Sequence, residues 1–167
     1  MFTSLDTFLL SWEKESESTE RILNSLDDIS LNQSVTKDDR TLGRIAWHIV
    51  TTIPEMLEKT GLAFQNIQEN APVPSIAKTI ADSYREVNKA MLTEMKKHWN
   101  DQTLLEKRDM YGEAWTIGTT LNVLINHQIH HRGQMTVLMR QAGLKVPGIM
   151  GPSREEWGLF GMEAPSV

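Results

Sequence analysis

The sequence contains no cysteine among its 167 residues. Disulfide bonds and thiolate metal ligands are therefore excluded, and any metal ion must be held by histidine, aspartate, glutamate or water. No apolar run approaches the roughly 20 residues that a helix needs to cross a bilayer. The first six residues also lack the basic and apolar regions of a signal peptide. We therefore expect a cytoplasmic protein with no membrane partner.

Positive charge is scarce as well. Lysine and arginine together number 17 against 22 aspartates and glutamates, which gives a net charge of −5. Binding to nucleic acid requires a concentrated basic face that neutralises phosphates, so we expect no nucleic-acid partner. Hydrophobic residues make up 40% of the chain, enough for a sizeable core. We expect one domain that spans residues 1–167.

Four stretches carry apolar residues at the spacings of three and four that are typical of a helix with one buried face. Pro54 lies inside the second stretch, and we expect it to kink that helix rather than end it. A short extended piece around residues 107–111 and a single turn at 153–157 complete the predicted elements. The four predicted helices are Phe2 to about Leu26, Leu42 to Lys59, a helix capped by Ser75 that ends near Trp99, and Thr116 to Ala142.

These helices predict an all-α fold, a four-helix bundle with long crossover connections. Residues 27–39, before the second helix, and residues 100–115, before the fourth, are each long enough to cross the bundle. Helix bundles place metal sites in the core between facing helices. The sequence therefore directs attention to polar side chains near the buried faces.

Three of the five histidines fall within five residues of the fourth helix. At about 100° per residue, His131 lies within the apolar stripe, His127 lies at its edge one turn earlier, and His130 points outside it. A histidine pair at positions i and i+4 suits two ligands of one metal ion. The alternative is a single buried histidine that donates to a backbone carbonyl, with its neighbours solvated.

The second helix supplies two further candidates. His48 lies at the margin of its apolar stripe, and Glu55 lies two turns later on the same side. Glu55 is a candidate general base, supporting carboxylate or fourth ligand, although an ordinary surface glutamate fits the pattern too. Gln134 projects on the side of His127, where it can bind that ring or a ligand. His98, beside two lysines at a helix end, favours the helix dipole and receives no chemical role.

Two segments together carry a family resemblance: Thr41-Leu42-Gly43-Arg44-Ile45-Ala46-Trp47-His48, and Trp115-Thr116-Ile117 followed by His127-x-x-x-His131-Arg132-Gly133-Gln134. They resemble the DinB superfamily of bacterial metal-binding helical bundles. The resemblance implies a metal site on His48, His127 and His131, and neutral imidazoles suit a divalent transition metal (Zn, Ni, Fe or Co) there. It also implies a metal-dependent transferase that couples a low-molecular-weight thiol to an electrophile, although other members are related to thiol-dependent isomerases or have no known activity.

Homodimers are common in this superfamily. Trp12, Trp47 and other large apolar residues lie off or beside the predicted apolar stripes, and Trp47 points toward another helix or a subunit partner. Exposed apolar patches of this kind often mark interfaces. We therefore expect a homodimer.

Three neutral imidazoles suit such an ion and leave coordination positions for water or substrate. The alternatives are a metal-dependent hydrolase that uses a bound water, and a non-catalytic bundle whose metal is structural or absent. A fourth protein ligand, with Glu55 as the first candidate, favours a structural metal. His130 is expected to support the ligands or to be exposed. Arg132 is expected to point toward the C-terminal carbonyls or an acidic tail residue.

Overall fold

The structure of the protein is a computed structural model that describes residues 1–64, 67 and 70–166. It confirms the predicted fold class, a four-helix bundle. Each helix begins and ends within about three residues of its predicted bounds. The helices are α1 (Leu5–Asn24), α2 (Leu42–Glu58), α3 (Ala77–His98) and α4 (Ile117–Gln141).

Side-chain caps fix three of the four helix starts. The oxygens of Ser4, Thr41 and Thr116 each accept a hydrogen bond from the backbone N–H three residues later, as N-cap residues do. Thr41 was predicted in this role, whereas the predicted Ser75 cap is wrong. At α3 the N-cap residue makes no side-chain bond. Instead, the Asp28 carboxylate accepts from the Ala77 N–H at 2.7 Å.

A short antiparallel hairpin precedes α4. Strand β1 (Lys107–Met110) pairs with β2 (Glu113–Thr116), and the turn between them places Tyr111 and Gly112 at positive φ. Two-residue hairpin turns of this kind require positive φ at both positions. The extended piece predicted at 107–111 is confirmed, but its partner strand was not predicted because four residues are too few to show alternation.

Each helix packs against two others. α4 lies between α1 and α2, and α3 also contacts both of them. Helices α1 and α2 are therefore diagonal partners, as are α3 and α4. The connections between α1 and α2 and between α3 and α4 cross the bundle, as expected.

Contacts along the bundle give the helix directions. The Phe2 N–H donates to the Gly118 carbonyl at the start of α4, and Glu15, later in α1, pairs with Arg132, later in α4. Helices α1 and α4 therefore run in the same direction. Glu55, near the end of α2, binds Tyr111 just before α4 begins, so α2 runs the opposite way.

Helix α3 runs antiparallel to α1. The Leu5 N–H, at the start of α1, donates to Asp101 just beyond the end of α3, whereas Asn24 at the end of α1 accepts from Arg85. Since α2 also opposes α1, the consecutive helices α2 and α3 run in the same direction. The sequence did not predict this parallel arrangement of α2 and α3.

The two tryptophans expected at an interface are in the core. Trp12 is fully buried and donates its indole N–H to Asn88 at 2.6 Å, and Trp47 donates to the Ala71 carbonyl at 3.1 Å. A helix packed against two neighbours buries a wider arc than one stripe, so residues beside the stripe are covered too. The expectation of exposed tryptophans is wrong, and the homodimer stays a prediction based on the family resemblance alone.

None of the described helices combines the length and apolarity that crossing a bilayer requires. Helix α2 continues through Pro54 to Glu58, which confirms that the proline does not end it.

Gly118 permits the close approach of the N-terminal segment to α4. A Cβ atom at this position lies 1.8 Å from the Phe2 carbonyl oxygen, whereas one at Gly133, in the same helix, meets nothing within 4 Å. The two glycines therefore form a matched pair for comparison. Packing requires glycine at position 118 but not at position 133.

We expect Gly118→Ala to lower the free energy of unfolding by about 1–3 kcal/mol, because the backbone must move to accept the methyl group. Gly133→Ala should raise it by up to about 1 kcal/mol through helix propensity. Urea unfolding of the metal-free proteins measures both. Equal effects of the two substitutions contradict the packing explanation.

Candidate metal centre

Three histidine rings converge between α2 and α4. The Nε2 atom of His127 lies 3.2 Å from that of His48 and 3.1 Å from that of His131. The candidate ligand atoms of all three lie within 4.8 Å of one another. Within the part of the chain that the structure describes, no aspartate or glutamate joins this group. These three residues form the histidine cluster.

The positions of the rings follow from the helices that carry them. One helical turn separates His127 from His131, so both rings leave the same side of α4. The antiparallel α2 places His48 opposite them. The Gln128 amide, next to His127, donates to the Ile49 carbonyl, next to His48, at 3.1 Å. This buried hydrogen bond fixes the axial position of His127 and His131 relative to His48.

Two neighbouring side chains fix the tautomers of two rings. The Nδ1 atom of His131 lies 2.7 Å from the amide oxygen of Gln134, which can only accept. The Nδ1 atom of His48 lies 3.3 Å from the Thr52 hydroxyl oxygen, and that hydroxyl donates its own proton to the His48 carbonyl at 2.6 Å. Both Nδ1 atoms therefore carry the proton, and both Nε2 lone pairs face the cluster.

His127 is the least satisfied of the three. Its Nδ1 atom is buried without a hydrogen-bond partner among the described residues. A proton on its Nε2 can be donated to only one of the two neighbouring Nε2 atoms at a time. A cation that faces all three Nε2 atoms gives every lone pair a partner.

The spacing of the cluster also fits a metal ion. Zinc–nitrogen bonds of about 2.0–2.1 Å at tetrahedral angles place ligand nitrogens roughly 3.3 Å apart. The two Nε2 separations given above, 3.2 and 3.1 Å, are close to this value. The residues present therefore fit a divalent transition metal held by three imidazoles.

The surroundings keep the rings neutral. Burial, assisted by the nearby His131, lowers the pKa of His48 and of His127 from 6.5 to about 4. Burial also lowers the pKa of His131, although the bond to Gln134 opposes this shift. Neutral imidazole is the form that binds metal, so protons compete weakly for this site at neutral pH.

A cleft of about 660 Å³ opens beside the cluster, and His131 forms part of its wall. Small molecules can therefore reach the cluster from the side of His131. The exposed His130 also lines this cleft and lies outside the cluster, with its ring centroid 5.0 Å from that of His131. The remaining lining residues are Val35, Asp39, Arg40, Ile45, Gln134, Val137 and Leu138.

Glu55 is not brought to the histidines. Its carboxylate accepts from the Tyr111 hydroxyl at 2.8 Å and lies 3.6 Å from the Lys59 ammonium. Glu55 and His48 share a helix face, but seven residues separate them by about 10 Å along the axis. The structure therefore offers no support for Glu55 as a fourth ligand or as a base beside the metal.

Two neighbours of the cluster differ from expectation. Gln134 binds His131, one turn away, and not His127, which is two turns away. Arg132 is buried and pairs with the carboxylate and the carbonyl of Glu15, so its predicted contact with the C-terminal region is wrong. Arg132 faces α1 because α4 has buried faces on two sides.

Sequence reasoning missed two supporting residues, Thr52 and Gln128. Gln128 is 1% exposed, and its side-chain oxygen lies 3.3 Å from the Thr19 hydroxyl and 3.4 Å from the Tyr84 hydroxyl. A glutamine between two histidines in a largely apolar helix is a usable signal. Thr52 stands four residues after His48, the spacing at which helical side chains meet.

Comparisons with known proteins agree with this fold. The model of the DinB family matches residues 1–164. YrdA, an uncharacterized protein of Bacillus subtilis (strain 168), is 52% identical over 167 residues, which is the whole of both chains.

Two solved structures are similar as well. A DinB-like protein from Bacillus cereus ATCC 10987 has a TM-score of 0.87 and 50% identity, over 89% of this chain and 99% of that one. The DinB-like protein YjoA from Bacillus subtilis has a TM-score of 0.65 over 84% of this chain and 94% of that one. At 15% identity, the second likeness concerns the fold alone.

The depressed histidine pKa values predict a pH dependence for the metal-free protein. In the unfolded chain the histidines titrate near their ordinary pKa of about 6.5, whereas folded His48 and His127 stay neutral until about pH 4. The unfolded state therefore binds more protons in this window, so the free energy of unfolding should fall as the pH falls from about 6.5 to 4. Urea unfolding in EDTA at a series of pH values measures this slope.

The control is the double variant His48→Gln, His127→Gln, which lacks both titrating groups. Its slope should be shallower across the same window, whatever its absolute stability. Identical slopes in the two proteins contradict the assignment.

Proposed function

This chain belongs to the DinB family, and we propose that it binds a divalent transition metal on His48, His127 and His131 and transfers a low-molecular-weight thiol to an electrophile. The observation that carries the proposal is the convergence of three Nε2 atoms beside an open cleft. Three protein ligands leave positions for an exogenous ligand, as catalytic sites do. When bound, such an ion lowers the pKa of a coordinated thiol or water.

The residues around the cluster have separate tasks in this proposal. Gln134 and Thr52 hold the Nδ1 protons of His131 and His48, so both rings stay oriented with Nε2 toward the histidine cluster. The apolar wall residues Val35, Ile45, Val137 and Leu138 bind the carbon skeleton of a substrate and limit the access of water. The chain has no cysteine, so the nucleophilic sulfur belongs to the substrate.

Two alternatives use the same histidines. A hydrolase needs a bound water and is helped by a general base, but the predicted base Glu55 is engaged by Tyr111 and Lys59. A structural metal is typically enclosed by four protein ligands, and no carboxylate joins the three histidines among the residues that the structure describes. Both observations favour thiol transfer.

We expect about one divalent transition metal ion per chain in protein purified without chelator or nickel resin. The double variant His127→Ala, His131→Ala should lose it, since a single imidazole cannot hold the ion. His98→Ala is the control, because His98 is more than half exposed and pairs with Glu94 at 3.1 Å. Elemental analysis by mass spectrometry gives the metal content, and full occupancy of the double variant overturns the three-histidine site.

We further expect metal-dependent conjugation of a cysteine-containing thiol to a soft electrophile such as a chlorobimane. The rate should fall by at least about 100-fold in His48→Ala, because ligand loss removes the metal, whereas His130→Ala should keep most of it. Fluorescence of the bimane adduct measures the rate. Thiol-to-cobalt charge-transfer absorption in the cobalt-loaded protein reports binding separately.

The thiol experiment also distinguishes the alternatives. If no tested thiol changes the cobalt spectrum and the ion proves to have a fourth protein ligand, the thiol-transfer proposal fails. The metal is then structural.

A further inference from the structure

Arg40 places a positive charge without an ion-pair partner in the wall of the cleft, as far as the described residues show. It precedes the N-cap of α2 and lines the same cleft as His131 and Gln134. No hydrogen bond or ion pair engages its guanidinium within the described ranges. The neighbouring Asp39 also borders the cleft, but its carboxylate accepts from the backbone N–H and the hydroxyl of Thr36, at 3.1 and 2.8 Å.

The lack of an acidic partner is not the general pattern among the arginines of this chain. Most of them lie within 4 Å of a carboxylate, at Arg85, Arg108, Arg132, Arg140 and Arg154. In a chain of net charge −5, acidic partners are plentiful. An arginine without an acidic partner beside a cleft is therefore available to an anionic ligand.

Gln134 supplies a second donor in the same wall. Its amide oxygen is occupied by the His131 Nδ1–H at 2.7 Å, and its amide nitrogen has no protein acceptor among the described residues. Arg40 and Gln134 thus offer several N–H groups to one ligand, and both line the cleft. A carboxylate, with two acceptor oxygens, matches such a pair of planar donors.

The rest of the cleft restricts the ligand further. Val35 and Val137 are 63% and 55% exposed, and with Ile45 and Leu138 they form an apolar lining. The volume of about 660 Å³ suits a small molecule. An aliphatic body of a few carbons can cover this lining while a charged end reaches Arg40.

We propose that the cleft recognises a small ligand that bears a carboxylate, held by the guanidinium of Arg40 and the amide nitrogen of Gln134. The opposite end of the ligand is then directed toward the Nε2 face of the histidine cluster. The role of this carboxylate site in selecting the substrate rests on the proposed thiol transfer. Binding of a carboxylate at the site requires only residues of the metal-free protein.

The first experiment uses the metal-free full-length protein and two probes of equal carbon length, hexanoate and 1-hexanol, at fixed ionic strength. Nuclear magnetic resonance titration should show hexanoate binding at least about fivefold more tightly, with shifts at the Arg40 guanidinium and the Gln134 side-chain amide. Arg40→Ala should remove this preference. Arg40→Lys should restore only part of it, because an ammonium cannot bind in bidentate fashion.

Lys37→Ala is the matched control. Lys37 lies in the same segment and carries the same charge, but it does not line the cleft. The control should keep the preference for hexanoate. Equal binding of the two probes by the unmodified protein overturns the proposal, and so does an equal loss of preference in Lys37→Ala and Arg40→Ala.

The second experiment separates this proposal from the proposed function. Cobalt-loaded protein is titrated with 3-mercaptopropionate and with 2-mercaptoethanol, and the sulfur-to-cobalt absorption is followed. Arg40→Ala should weaken the first thiol about fivefold and leave the second unchanged. If neither thiol changes the spectrum while metal-free protein still prefers hexanoate, thiol transfer fails and the carboxylate site stands. If the Arg40→Ala variant binds each thiol as tightly as the unmodified protein does, the carboxylate site fails and thiol transfer stands.

Discussion

The side chain of Gln128 connects all four helices of the bundle. From α4, its amide group donates to the Ile49 carbonyl of α2 and lies within hydrogen-bond distance of Thr19 of α1 and Tyr84 of α3. A buried amide is stabilising only when its donors and acceptors are satisfied, and leaving one unpaired costs about 1–3 kcal/mol. The packing of the helices around this residue is therefore constrained by hydrogen bonds as well as by shape.

The same residue relates the core to the histidine cluster. Gln128 follows His127, and its bond partner Ile49 follows His48, so the hydrogen bond that sets the register of α4 against α2 also sets the distance between the two imidazoles. One turn after Gln128 on α4, buried Arg132 contacts Glu15 and Thr19 of α1. An arginine that is 4% exposed needs such partners, because an unpaired buried charge is strongly destabilising. Helix α4 is thus held on two sides by polar contacts that allow few alternative registers.

Burial and access are balanced at the cluster. Partial burial lowers the histidine pKa values and so keeps the lone pairs available at neutral pH. The cleft beside His131 nevertheless leaves one side open to small molecules. Its walls come from the ordered helices α2 and α4 and from the segment before α2 that carries Arg40. The histidines thus lie on helices, whereas Arg40 lies in the connecting segment beside them.

The sequence by itself determined the four helices, because apolar spacing of three and four reports directly which face of a helix is buried. It also placed His127 and His131 on one side of α4, since one turn separates them. Phase within a helix contains no information about axial distance across two turns. Glu55 was therefore expected nearer the histidines than it lies, and Gln134 was expected beside the His127 ring although it binds that of His131. Nor does phase reveal how many neighbours a helix has. Only the tertiary structure placed α4 between α1 and α2, and that position buried Arg132 and Gln128 and brought His48 to the other two imidazoles.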